Sequence, residues 1–71
     1  MLHKNEVAEI CRQYIEGEII KESYDRKLTH WLVNIYHRYD ETIFLTTLDV
    51  NQRGFICGWG KKAIKEEEVA P

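Results

Sequence analysis

Hydrophobic positions along the chain follow two different periods. Val7, Ile10, Cys11, Tyr14 and Ile15 recur at helical spacing among the helix formers Glu6, Ala8, Glu9, Arg12, Gln13 and Glu16. Asn5 precedes them and can cap a first turn, and Gly17 can end or kink the helix. This pattern predicts a helix over about residues 5–20, with Glu18 to Glu22 continuing it and bringing Ile19 and Ile20 to the core. The polar run Ser23 to Lys27 then reads as a connector.

The middle of the chain, Lys27 to Gly60, holds both tryptophans and both phenylalanines. Over Thr29–Tyr39 two periods compete. Leu28, Trp31, Leu32, Ile35, Tyr36 and Tyr39 share one face of a helix. The residue types (Thr, His, Trp, Val, Asn, Ile, Tyr) are β-formers or weak helix formers. Thr42 to Leu48 is β-branched and aromatic with no Ala, Lys or Glu, which favours strands on both sides of a turn at Tyr39-Asp40-Glu41. Asp49 to Gly54 supplies a second turn, and Phe55 to Gly60 a third short strand. The expected fold is α+β: an N-terminal helix packed on a three-stranded antiparallel β-meander over about residues 28–60. A short C-terminal helix or tail over the charged residues 61–71 would follow. The alternative is a mainly α domain, two helices plus a β-hairpin.

With a tight turn at Asp40, alternation places Trp31, Val33 and Ile35 with Phe44 and Leu48, and Leu32 and Tyr36 with Ile43 and Leu45. Both faces then carry large apolar groups, and a single helix covers only one.

The 71 residues read as one small domain, whose core alone contributes only a few kcal/mol, about 3–5. The 44% hydrophobic content argues against disorder. A formal charge of −2 provides no bulk field for nucleic acid or anionic membrane. No apolar run of about 18 residues is present, and the N-terminus does not read as a signal peptide. Cys11 and Cys57 are expected to be reduced thiols in a cytoplasmic protein.

Candidate chemistry is sparse. Asp49, Asn51, Gly54 and Ile56 resemble four positions of an EF-hand calcium loop, but Arg53 and Gly60 stand where ligands are required. Gly58-Trp59-Gly60-Lys61-Lys62 is glycine-rich and basic without the spacing of a phosphate loop. His3, His30, His37, Cys11 and Cys57 form no paired metal-ligand motif. No catalytic residues, metal or cofactor are expected. The functional expectation is a small non-enzymatic protein-binding module, an inhibitor or adaptor. It would act through the second sheet face (Leu32, Tyr36, Ile43, Leu45) or a strand edge, on another protein or itself as a homodimer. The alternative is single-stranded nucleic-acid binding, with Arg53, Lys61 and Lys62 as anion contacts among the aromatics.

Overall fold

A computed structural model of the protein describes residues 2–64. One helix, α1 (Lys4–Tyr14), precedes four strands: β1 (Glu18–Asp25), β2 (His30–Tyr39), β3 (Thr42–Val50) and β4 (Ile56–Ile64). The strands form a single antiparallel sheet in the order β1-β2-β3-β4. The α+β class stands, with four strands where three were expected, and the mainly α alternative falls because Thr29–Tyr39 contributes a central strand.

The added strand comes from Glu18–Glu22, expected to extend the helix, and from Ser23–Asp25, expected to be part of the connector. α1 begins after His3 rather than Asn5. The His3 amide donates to Glu6 Oε1 at 3.0 Å, and the His3 carbonyl accepts from the Glu6 and Val7 amides, closing the first turn. The helix stops at Tyr14, and Ile15 is already extended at φ −149°, ψ 139°. Gly17 then lies against β2, where a side chain would collide with Ile35 and the Tyr36 carbonyl. From there Ile19 and Ile20, both β-branched, run along β2 rather than completing helical turns. The register slips between Ile19 and Lys21, a bulge on the β1 edge.

β2 and β3 are joined by the two-residue loop Asp40-Glu41, both at positive φ, 48° and 66°. That is the left-handed pair a tight hairpin requires. The β3–β4 loop is held by Asn51, whose Oδ1 accepts from the Arg53 and Phe55 amides at 2.9 and 3.0 Å, with Gly54 at φ 85°. β4 extends to Ile64 because the β3 backbone from Ile43 to Thr46 pairs with Ile64 to Lys61. Lys61–Ile64 is therefore strand, not the start of a tail. The remaining C-terminal expectations, on Glu66, Glu67, Glu68 and Val69, lie outside the described residues.

The core lies between α1 and one face of the sheet. Val7 and Cys11 from the helix meet Val33, Ile35, Leu48 and Val50 from β2 and β3, all fully or almost fully buried. Alternation also brings Glu22 of β1 to this face, opposite Val33. One of its oxygens, Oε2, is buried without a hydrogen-bond partner among the described residues. Thr46, the buried polar residue of β3, is satisfied by a 2.8 Å hydrogen bond shared with His37 Nε2.

Candidate functional site

The face turned away from α1 is set by the register. Row by row it reads Glu18, Tyr36, Leu45, Lys62; then Lys21, Asn34, Thr47, Gly60; then Ser23, Leu32, Asp49, Gly58. Directly paired residues share a face in an antiparallel sheet. Tyr36, Ile43 and Leu45 are thus neighbours, and Ile64 joins them opposite Ile43. Ile43 is buried while Tyr36 and Leu45 remain half-exposed. Leu32 shares the face but stands apart. The Thr47 hydroxyl donates to Asn34 Oδ1 at 2.9 Å, and this polar pair separates Leu32 from Tyr36 and Leu45. A shallow open groove lined by Glu18, Tyr36, His37, Arg38 and Ile43 runs beside the apolar group.

The three basic residues do not converge. Lys61 and Lys62 are consecutive on β4 and face opposite sides. Lys61 Nζ lies 4.3 Å from the centroid of the Phe44 ring, which stacks on His37, on the helix-bearing side. Arg53 is in the β3–β4 loop at the far end of the hairpin.

The sheet also assembles a group that no linear spacing indicates. His30 at the start of β2, Asp49 near the end of β3 and Cys57 at the start of β4 bring their donor atoms within 4.8 Å of one another. The Cys57 sulfur lies 3.5 Å from His30 Nδ1 and 3.6 Å from the Asp49 carbonyl oxygen. A register shift opposite Asp49 and Val50 leaves Cys57 as the extra residue between Ile56 and Gly58. Such bulges re-aim a side chain, here onto the open face. His37, by contrast, is on the helix-bearing face. Cys11 is buried there too, and its thiol is pushed up to about 11 by burial, with the nearby Glu22 carboxylate adding to the shift. The two cysteines are free and lie on opposite sides of the sheet.

No protein-family model, curated protein or solved structure matches the chain. The functional reading therefore rests on geometry. No helix among the described residues is long and apolar enough to cross a membrane.

Proposed function

We propose that the protein is a non-enzymatic protein-binding module whose open sheet face docks on a second copy of the same chain. The observation that supports this reading is the row Glu18, Tyr36, Leu45, Lys62. It reads acid, aromatic, aliphatic, base across the sheet. A two-fold axis parallel to the strands, passing between β2 and β3, lays Glu18 over Lys62 of the second copy and Tyr36 over its Leu45. Charges of opposite sign then close both rims of an apolar centre, the self-complementarity that an isologous interface demands. The half-exposed apolar groups at the centre provide the driving force, and face-to-face sheets accommodate them at a spacing of about 10 Å. An adaptor or inhibitor role would use the surfaces that such a dimer leaves free, including the edges of β1 and β4.

Light scattering on a sizing column at two protein concentrations tests the reading. A dimer is expected that weakens by at least about tenfold, ~1.4 kcal/mol, on Glu18→Lys or Lys62→Glu alone. It should recover when the two changes are combined, because the swap restores opposite charges. A monomer at all concentrations, or a dimer indifferent to both single changes, removes the proposal. The nucleic-acid reading draws support from Lys61, Phe44 and the exposed Trp59 on the other face. It would be favoured by a monomer that shifts a labelled single strand at low salt and loses it in Lys61→Ala.

A further inference from the structure

We propose that His30, Asp49 and Cys57 form a binding site for a single Zn²⁺ ion, with a fourth coordination position open to solvent. The site shares the open sheet face with the row Glu18, Tyr36, Leu45, Lys62 but lies at its opposite end, and its assignment rests on its own geometry.

The geometry carries the assignment. Ligands about 2.3 Å (sulfur) and about 2.0 Å (nitrogen) from a tetrahedral zinc lie about 3.5 Å apart. The Cys57 sulfur and His30 Nδ1 are separated by 3.5 Å, with Nε2 at 3.8 Å. The sulfur thus lies at similar distances from both ring nitrogens, and a turn of the His30 ring directs one of them to a shared ion. The Asp49 carboxylate completes three donors from three adjacent strands.

Two local features make room for them. The bulge at Cys57 turns its thiol onto the open face. Next to it, Gly58 leaves the space the carboxylate occupies: a Cβ there would come 3.2 Å from Asp49 Oδ2. The nearby side chains Asp25 and Asn51 are committed to their own loops. Asp25 Oδ1 accepts from the Lys27 and Leu28 amides, and Asn51 Oδ1 from those of Arg53 and Phe55.

The donor set selects the ion. Thiolate and imidazole favour borderline-soft cations, and a single carboxylate is too little for calcium or magnesium. Binding replaces the Cys57 S–H bond by a sulfur–zinc bond and releases the proton to solvent, so affinity rises with pH. Cys57 is exposed, so the ion enters directly and its fourth position is left to water or to a donor atom from another molecule. Bound zinc would also tie β2, β3 and β4 together at the end carrying the Asn51–Phe55 loop.

The test is a titration of the reduced full chain with Co²⁺, followed by displacement with Zn²⁺. The expected result is one ion per chain, with tetrahedral cobalt absorption and a thiolate-to-cobalt charge-transfer band. Cys57→Ser should abolish that band. His30→Ala and Asp49→Asn should each weaken binding by at least about tenfold, and Gly58→Ala should weaken it with all three donors present. Cys11→Ala should change nothing. As a readout that needs no variant, Zn²⁺ should protect Cys57 of the native protein from iodoacetamide. Absence of the charge-transfer band, binding that survives in Cys57→Ser and His30→Ala, or an unprotected Cys57 would each overturn the site.

Discussion

Gly17 and Ile35 are in contact so close that no side chain fits between them. A Cβ on Gly17 would lie 2.6 Å from Ile35 Cγ2 and 2.6 Å from the Tyr36 carbonyl oxygen. The second obstacle is backbone in the central strand and cannot swing aside. Gly17→Ala should therefore destabilise the fold by about 1–3 kcal/mol, the range for forcing extra carbon into a packed site. Gly60 is the control: a Cβ there meets nothing within 4 Å. Urea midpoints should fall for Gly17→Ala and hold or rise for Gly60→Ala.

Leu48 and Leu45 lie on the same strand and face opposite ways. Leu48 is 0% exposed beneath α1, whereas Leu45 is half-exposed on the open face. Leu48→Ala should cost about 2–5 kcal/mol, and Leu45→Ala less than about 1.5 kcal/mol for the isolated chain. Equal losses by chemical denaturation would mean that both faces are core.

The two thiols should differ in reactivity. Cys11 is 0% exposed, and its thiol is held at about 11, so little thiolate forms near neutrality. Cys57 is exposed. Without added metal, iodoacetamide at about pH 8 should label Cys57 first, and Cys11 only after unfolding. Mass spectrometry of the labelled peptides reads the order directly.

His37 links stability to pH. Burial first, and the positive charge of Lys61 second, hold its imidazole below the ordinary value. Above the unfolded value of about 6.5 both states are neutral and no penalty exists. As pH falls through that value the unfolded chain takes up the proton more readily, so stability is lost progressively and levels off only once the folded imidazole is protonated too. Between about pH 7.5 and about pH 5, Tm should fall more steeply in the native protein than in His37→Gln. Identical slopes would show that His37 does not contribute.

The hairpin loop carries removable strain. Glu41 sits at φ 66° with an ordinary side chain, a conformation that costs roughly 1–2 kcal/mol without glycine. Glu41→Gly should raise stability by about 0.5–1 kcal/mol after the extra flexibility of the unfolded chain is subtracted. A lower urea midpoint would contradict this reading of the turn.

Much of this fold is local and can be read from the residues alone. The amphipathic spacing of Val7 and Cys11 places α1 on the sheet. The β-branched and aromatic run through Val33, Ile35 and Leu48 makes strands despite a competing helical period. Alternation about the Asp40-Glu41 turn correctly separates Trp31, Val33, Ile35, Phe44 and Leu48 from Leu32, Tyr36, Ile43 and Leu45. Period-two geometry makes that parity a consequence of loop length.

Pairing partners and close approaches had to come from the tertiary structure. Glu18–Asp25 has residues suited to helix or strand, and what decides it is the free edge of β2 together with the contact at Gly17. Lys61–Ile64 looks like a charged tail until β3 supplies backbone partners along its full length. The separation of Leu32 from Tyr36 depends on which residues face Asn34 across the ladder. His30, Asp49 and Cys57 meet only because three strands align and a one-residue bulge rotates one thiol. Sequence periodicity carries the direction of each side chain within a strand. It carries no information on where a ladder slips, and that slip positions Cys57 beside His30.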